Sequence, residues 1–270
     1  MKLVLMGTND FVVPVFESLA SNHDIIAVFT RAPKPFGRKH VLTPSPVHVW
    51  AQSRGLPIYT SIKDFDSLTE KPDFIIVISY GVILRDNVLN SAKCLNIHPS
   101  SLPKYRGPSP IKTAILNGDK DMDVCLMQMT SELDAGDILL RKNILIGDDD
   151  TNVDVERQVS NVAVEILNEY LSNPEKYAPI PQTGKAIYTQ KFSGTDEIVD
   201  WSNTPQQIHN RIRALGCGRT KINGVDVKII ETHIENGNLK IIKIQPSGKN
   251  PMDWKSFVNG LRGSEIRYGE

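Results

Sequence analysis

The stretch CLNIHPSSLPKYRG, residues 94–107, begins as a short apolar strand and breaks at a proline. Side chains alternate between the two faces of a strand, so Asn96 and His98 share one face and the apolar residues share the other. Pro99 has no backbone N–H group, which predicts the end of the strand. We therefore expect two hydrogen-bonding side chains together at the carboxyl end of a strand, where ligand crevices form in open α/β sheets.

On both sides of this stretch, short apolar runs alternate with helical patterns, which is typical of a parallel α/β sheet. We predict further strands at KLVLM (2–6), IIAVFT (25–30), FIIVIS (74–79), VCLMQM (124–129) and ILLRKNILI (138–146). We predict helices at PVFESLAS (14–21), SPVHVWAQSRG (45–55), PIKTAILNG (110–118) and NVDVERQVSNVAVEILNEYL (152–171). The predicted fold class is α/β, with a doubly wound, mostly parallel sheet.

The composition changes at SNPEKYAPIPQTGK, residues 172–185, whose proline, glycine and polar residues predict a connector. A short helix is predicted near PQQIHNRIRAL, residues 205–215. The pattern over residues 224–246 predicts two strands joined by a turn at Asn236 and Gly237. We therefore predict a first domain over residues 1–185, connector included, and a smaller β-rich second domain over residues 186–270.

The composition is that of an ordinary globular protein. Of 270 residues, 40% are hydrophobic and 23% are charged. No apolar run approaches the length of a membrane span, and the first residues do not resemble a secretory signal, so we expect a cytosolic protein without a membrane partner. Cys94, Cys125 and Cys217 lie far apart with no His at ligand spacing, so neither a disulfide framework nor a metal site is predicted.

Charge is unevenly distributed along a chain whose net charge is zero. Residues 205–270 contain 11 Lys and Arg against 6 Asp and Glu, which leaves the first 204 residues with a net charge of −5. A second basic cluster, RAPKPFGRKH at residues 31–40, contains no acidic residue. Two such regions could bind a polyanion locally, although solvated surface charge is an equally good interpretation of either one alone.

A third candidate side chain comes from SELDAGD, residues 131–137, which directly follows the predicted strand VCLMQM. We expect this turn to open at the same edge of the sheet as Asn96 and His98, bringing Asp134 close to them. Together these three side chains form a chemically coherent set for acyl transfer: an amide donor for an oxyanion, an imidazole to donate a proton, and a carboxylate to orient the imidazole. No GxSxG motif or Cys–His pair predicts a nucleophile, so direct transfer between two bound substrates is favoured. GTND, residues 7–10, has one glycine only and does not predict a dinucleotide site.

The run GVILRDNVLNSAKCLNIHPSSLPKYRGPSPIKTAILNGD, followed by MQMTSELDAGDILL, resembles the signature of the formyltetrahydrofolate-dependent formyltransferases. The resemblance implies a Rossmann-like fold and catalysis by Asn96, His98 and Asp134. It implies 10-formyltetrahydrofolate as formyl donor and no metal. The implied folate-lining residues are Tyr80, Gly81, Ile83, Leu84 and Asp137, although core packing would equally explain Ile83 and Leu84.

Further stretches resemble the branch of this family that formylates initiator methionyl-tRNA. They are MKLVLMGTNDFVVP, FTRAPKPFGRKHVLTPSPV, EIVDWSNTPQQIHNRIRAL and KIQPSGKNPMDWKSFVNG. Of these, FTRAPKPFGRKHVLTPSPV resembles a basic loop used against the tRNA acceptor stem. This resemblance implies contacts to tRNA from Arg31, Lys34, Arg38 and Lys39. Arg106 is expected either to position substrate or its own loop, or to form a structural ion pair.

Departures from the family pattern leave alternatives open. Asn9 stands where the family usually has proline, and GCGRTKINGV replaces an aromatic, proline-rich segment in a shortened, OB-like second domain. The nearest alternative is a sugar-nucleotide amine N-formyltransferase, which shares the catalytic segments. A formyl-folate hydrolase and a noncatalytic tRNA- or folate-binding protein are the other possibilities.

Overall fold

The computed structural model describes residues 1–37, 40–261 and 263–270. These residues form two compact units. The first contains Met1–Pro108, Asp123–Ile144 and Glu156–Tyr188, and the second contains Ser109–Met122, Leu145–Val155 and Thr189–Glu270. The second unit thus includes two segments that precede residue 185 in the chain, Ser109–Met122 and Leu145–Val155. The domain boundary at residue 185 stays a prediction.

Thirteen strands and seven α-helices are present in the described residues. The strands are β1 Lys2–Gly7, β2 Asp24–Phe29, β3 Lys34–Phe36, β4 Val41–Thr43, β5 Ile58–Tyr59, β6 Phe74–Ile78, β7 Lys93–His98, β8 Asp121–Gln128, β9 Ile138–Leu145, β10 Gly218–Ile222, β11 Val225–Glu235, β12 Asn238–Pro246 and β13 Met252–Asp253. The helices are α1 Val13–Asn22, α2 Pro46–Ser53, α3 Asp86–Leu89, α4 Pro110–Asn117, α5 Asn152–Ser172, α6 Pro205–Leu215 and α7 Trp254–Gly260. Short 3₁₀ helices cover Asp10–Val12, Ile62–Ser67 and Pro174–Lys176.

Seven strands form one sheet in the order β5-β2-β1-β6-β7-β8-β9. The five strands from β5 to β7 run parallel, whereas β8 runs antiparallel to β7. Apolar side chains of β1 and β6 are almost fully buried, as expected for central strands of a parallel sheet. The predicted α/β fold with a mostly parallel sheet is therefore confirmed.

Local sequence signals set the ends of the helices in the first unit. Ser45 caps α2 by accepting a hydrogen bond from the backbone N–H of His48, and Pro46 occupies the first turn, where its missing N–H is harmless. β3 and β4 form a separate antiparallel hairpin within the predicted basic loop.

The second unit contains a four-stranded antiparallel sheet in the order β10-β11-β12-β13. Asn223–Gly224 and Asn236–Gly237 form its two tight turns, with φ positive at both positions of each turn. This is the backbone that Asn-Gly pairs favour in hairpins. Thr204 and Gln207 cap α6 reciprocally, and the helix packs with the sheet around Ile208, Ile212, Ile229 and Ile241. The predicted small β-rich part is confirmed.

Across the described parts of the chain, helices that could cross a bilayer were sought and none is sufficiently long and apolar.

Candidate active site

Asn96 and His98 end strand β7 on a shared face and are both buried, with 8% and 4% of their surfaces exposed. Their side chains converge on Asp134, which lies in the loop between β8 and β9. The amide Nδ2 of Asn96 donates to Asp134 Oδ1 over 3.5 Å, and His98 Nδ1 lies 3.6 Å from Asp134 Oδ2. The structure therefore brings together the three side chains that the sequence predicts to act together.

The imidazole of His98 is oriented by a backbone carbonyl. Its Nε2 lies 2.9 Å from the carbonyl oxygen of Tyr105, which can only accept, so Nε2 carries a hydrogen. Nδ1 faces the carboxylate of Asp134, a second acceptor. In the imidazolium form both ring nitrogens donate to an acceptor, so this arrangement is complementary to a cationic histidine.

The carboxylate of Asp134 is held by the loop after β7 as well as by the two strand residues. The backbone N–H of Gly107 donates to Asp134 Oδ2 over 2.8 Å. Asp134 itself has a φ of 48°, and a side chain on nearby Gly136 would overlap the carbonyl oxygen of Gln128. The glycine in the LDAGD turn thus permits the close backbone approach that places the carboxylate.

The route by which Asp134 reaches the site differs from the prediction. Because β8 is antiparallel to β7, Gln128 at its end pairs with Leu95, whereas Cys125 pairs with His98. The turn does not open at the carboxyl end of β7, so the expectation of a shared edge was wrong. The chain instead folds back after Gln128, and Asp134 returns to the level of His98 and Gly107.

The loop predicted to line a folate site, residues 79–84, follows β6 at the neighbouring strand end. Tyr80 and Leu84 are buried in the apolar core, and burial raises the pKa of the Tyr80 hydroxyl. Ile83, in contrast, is 85% exposed. Core packing therefore accounts for the side chain of Leu84, whereas the side chain of Ile83 is available at the surface.

Two contacts tether this loop to the ends of β1 and β2. Arg31 Nη2 donates to the carbonyl oxygen of Gly81 over 2.9 Å, and a side chain at Gly81, whose φ is 69°, would overlap that guanidinium. Asn9 Nδ2 donates to Ser79 Oγ over 2.8 Å. The asparagine of GTND therefore helps to position the loop after β6. Asp137 lies in the β8–β9 loop, where its carbonyl accepts from Gln128 N.

The predicted basic residues fall into three settings. Arg31 and the exposed Lys34 line a cavity of about 340 Å³, together with Asp10 and Glu156. Arg38 and Lys39 lie outside the described residues. Arg106 donates through Nε and Nη2 to Gln182 Oε1 over 3.1 and 2.7 Å, within the first unit.

Gln182 is a site residue that the sequence did not single out. It lies in the connector, where a glutamine carries no periodic or motif signal, yet its Nε2 donates to the carbonyl oxygens of Asp134 and Gly136 over 2.9 and 2.8 Å. The segment containing it also bonds to the strand-end loop, because Arg106 N donates to the carbonyl oxygen of Ile187.

Two of the three cysteines, Cys94 and Cys125, are buried. No group of three or more His, Cys, Asp and Glu side chains in the described ranges is placed to hold a metal ion. Burial raises the pKa of the Cys94 thiol to about 12 and that of Cys125 to about 11. Both thiols are therefore protonated at neutral pH and packed in the interior, which does not suit nucleophilic catalysis.

Two family models match this chain. Residues 1–171 match the model described as formyl transferase, and residues 191–238 match the model described as formyl transferase, C-terminal domain. The chain is 33% identical to a methionyl-tRNA formyltransferase from Rickettsia bellii, over 97% of each protein. It is 35% identical to that from Anaplasma marginale, again over 97% of each.

Solved structures of the same fold include formyltransferases with different names and bound molecules. A methionyl-tRNA formyltransferase from Clostridium thermocellum matches with a TM-score of 0.66 and 15% identity, covering 91% of this chain and 98% of that one. An N-formyltransferase from Helicobacter canadensis, in complex with folinic acid and dTDP-3-aminofucose, matches with a TM-score of 0.67 and 21% identity, covering 87% and 88%. At these identities the two structures establish the fold. The family models and the curated relatives establish that this chain belongs to the formyl transferase family.

Proposed function

We propose that this protein transfers the formyl group of 10-formyltetrahydrofolate to the α-amino group of initiator methionyl-tRNA. The observation that carries the proposal is the convergence of Asn96, His98 and Asp134 at the end of β7. The identity of 33–35% to methionyl-tRNA formyltransferases over nearly the full chain supports the choice of acceptor. The predicted cytosolic location remains a prediction.

The three polar side chains supply complementary chemistry for acyl transfer. The Asn96 amide has two hydrogens and makes a long contact with Asp134, so it can also donate to a carbonyl oxygen on which negative charge develops. The carboxylate of Asp134 can accept a proton from an attacking amine. His98, between that carboxylate and the Tyr105 carbonyl, stabilises negative charge in its cationic form and can donate a proton.

The neighbouring loop has the surface chemistry that suits a folate. The loop after β6 presents backbone polar groups in an irregular conformation, with φ positive at Ser79 and Gly81, next to the exposed apolar side chain of Ile83. Leu133, in the turn that carries Asp134, is also exposed. Apolar surface combined with a few polar groups is typical of sites for flat ring systems. When bound there, the folate would supply a formyl group carried on nitrogen.

The cavity beside Arg31 is the proposed site for the end of the acceptor. It lies at the carboxyl ends of β1 and β2, so it shares the edge of the parallel sheet on which Asn96 and His98 lie. Adjacent strands are spaced by about 4.8 Å, so β2 and β7, three strands apart, differ by roughly 14 Å along this edge. Arg31 and Lys34 would contact a phosphate there, away from the acidic lining residues Asp10 and Glu156, if the acceptor enters by this edge.

The proposal is tested by offering formyl-labelled folate with several acceptors to the purified protein. The acceptors are initiator methionyl-tRNA, elongator methionyl-tRNA, uncharged initiator tRNA and a panel of amino-sugar nucleotides. We expect multiple-turnover labelling of initiator methionyl-tRNA and none of the uncharged tRNA. If only a sugar nucleotide were labelled, the proposed acceptor would be wrong. Equal labelling of both charged tRNAs would contradict specificity for the initiator. Release of free formate alone would identify a hydrolase.

A further inference from the structure

The side-chain amide of Gln182 connects the two loops that hold the carboxylate of Asp134. On one side its Oε1 accepts from Nε and Nη2 of Arg106, which lies in the loop after β7. On the other side its Nε2 donates to the carbonyl oxygens of Asp134 and Gly136. All four bonds lie within the first unit and measure between 2.7 and 3.1 Å.

The chemistry of the partners determines the orientation of this amide. A guanidinium has only donors, so it requires the oxygen of Gln182, and two carbonyls have only lone pairs, so they require the nitrogen. Both hydrogens of Nε2 are used, one for each carbonyl. No other uncharged side chain of this length offers an acceptor at one position and two donors at the other.

Gln182 acts on the turn that gives Asp134 its unusual backbone conformation. Asp134 has a φ of 48°, a left-handed conformation that a residue other than glycine adopts at a cost. The two carbonyls that Gln182 binds lie on either side of Ala135, so the amide closes this turn. The carboxylate of Asp134 extends from the closed turn to Gly107 N, Asn96 Nδ2 and His98 Nδ1.

The segment around Gln182 is itself anchored at both ends. Ile180 and Ile138 exchange backbone hydrogen bonds of 2.9 Å, next to the turn. Further along, Ile187 N donates to the carbonyl oxygen of Pro103, and Arg106 N donates to the carbonyl oxygen of Ile187. The predicted connector thus lies along both loops of the site.

We propose that Gln182 is a positioning residue, whose two N–H donors hold the 134–136 turn so that Asp134 faces His98 and Asn96. It touches none of the reacting groups and acts through Asp134. The expected effect on kcat rests on the proposed function. The expected effect on the position of Asp134 can be measured without any substrate.

Gln182→Glu separates this role from simple pairing with Arg106. The carboxylate keeps the length of the side chain and strengthens the contact with Arg106, but it places oxygen where Nε2 donates and so repels the carbonyls of Asp134 and Gly136. We expect kcat to fall about 10- to 100-fold, with the KM values for folate and methionyl-tRNA unchanged within about two-fold, because misplacing a reactive group affects turnover more than binding. Gln52→Glu, an exposed position on α2, is the matched control for the added charge.

Amide hydrogen exchange of Gly107, followed by NMR, provides the measurement that needs no activity. Its N–H donates to Asp134 Oδ2, so release of the turn should accelerate its exchange in Gln182→Glu but not in Gln52→Glu. Unchanged Gly107 exchange, or unchanged kcat in an active protein, would overturn the proposal. If the wild-type protein formylates none of the acceptors, the proposed function is wrong, and Gly107 exchange alone then decides whether Gln182 positions Asp134.

Discussion

The protein contains two buried histidines that each face an aspartate, His98 in the first unit and His209 in the second. His209 is 2% exposed; its Nε2 donates to the carbonyl oxygen of Asp148 and also approaches Asp149 Oδ1 at 3.3 Å. In both histidines, therefore, Nε2–H is held by a backbone carbonyl. The two rings differ in what faces Nδ1.

In His209, Nδ1 lies 2.8 Å from the hydroxyl of Thr232, which can donate a hydrogen to it. The neutral imidazole is then satisfied at both nitrogens, and burial lowers the pKa of His209. In His98, Nδ1 faces the carboxylate of Asp134, so the neutral ring would direct a lone pair at a negative charge. A hydroxyl at Nδ1 satisfies a neutral, structural histidine, whereas a carboxylate at Nδ1 accepts a hydrogen bond from the ring.

The aspartates differ as well. Asp149 is more than half exposed and is shared with His233, whose Nδ1 lies 3.0 Å from it. Asp134 is largely buried, accepts a short bond from Gly107 N and makes only long contacts with Asn96 and His98. Because these two contacts are long, Asn96 and His98 keep donor capacity for a reacting group. A His–Asp pair alone therefore does not indicate a reactive site; the third partner and the spacing do.

The largest expected difference between the two histidine–aspartate pairs is in turnover, when the aspartate of each pair is replaced by asparagine. We expect Asp134→Asn to lower kcat by about 10²- to 10⁴-fold, the range typical of a proton-transfer group. The isosteric amide cannot accept the amine proton and cannot stabilise a cationic His98. Steady-state formylation of methionyl-tRNA measures the effect.

Asp149→Asn provides the control for this prediction, because it makes the same change in the structural pair. Its kcat should remain within about two-fold of the wild-type value. If Asp134→Asn turned over at the wild-type rate, the His98–Asp134 pair would contribute no more to catalysis than the structural His209–Asp149 pair.

Buried amides offer a second comparison. Asn96→Ala should lower kcat by about 10²- to 10³-fold with little change in folate binding, as removal of one oxyanion donor typically does. Asn210 in α6 is buried to a similar degree, but its Oδ1 accepts from Gln206 and from Arg213. Asn210→Ala should therefore lower the thermal unfolding midpoint and leave kcat nearly unchanged. Equal kcat values for the two alanine variants would remove Asn96 from the proposed mechanism.

The sequence predicts much of the fold because apolar periodicity reflects burial. The predicted strand at residues 94–98 corresponds to β7, and the predicted helix at residues 205–215 coincides with α6. Strand direction is not contained in such a pattern, since a buried strand has the same apolar character whether it is parallel or antiparallel. For this reason the antiparallel β8, and with it the route of the Asp134 turn, was not predicted.

The residues of the candidate site are predictable where they belong to a motif or strand end. Asn96, His98 and Asp134 carry that signal, and the structure brings them together. Gln182 carries none, because its importance arises from backbone carbonyls about 46 residues away in the chain. His209 likewise has the spacing of an ordinary helix residue, and only the contacts of its two nitrogens distinguish it from His98.

The smallest expected effect concerns the contribution of His209 to the pH dependence of stability. Asp148, Asp149, Arg213, His233 and Thr232 surround His209, and burial is the largest influence, lowering its pKa below the ordinary value of 6.5. The unfolded chain then binds more protons than the folded protein as pH falls through 6.5, so the free energy of unfolding decreases towards acidic pH. Each unit by which the pKa is lowered contributes about 1.4 kcal/mol to this decrease.

His209→Gln should therefore flatten the pH dependence of stability while leaving turnover intact. Glutamine reaches a similar distance, hydrogen-bonds with Asp148 and Thr232, and does not titrate, so its free energy of unfolding should fall less than that of the wild-type protein between pH 7.5 and pH 5. Urea unfolding at several pH values measures the slope; His23, whose pKa burial also lowers, is present in both proteins and cancels in the comparison. A slope equal to that of the wild type would show that His209 takes up a proton as readily in the folded protein as in the unfolded chain. In that case the hydroxyl at Nδ1 would not be what separates the structural histidine from His98.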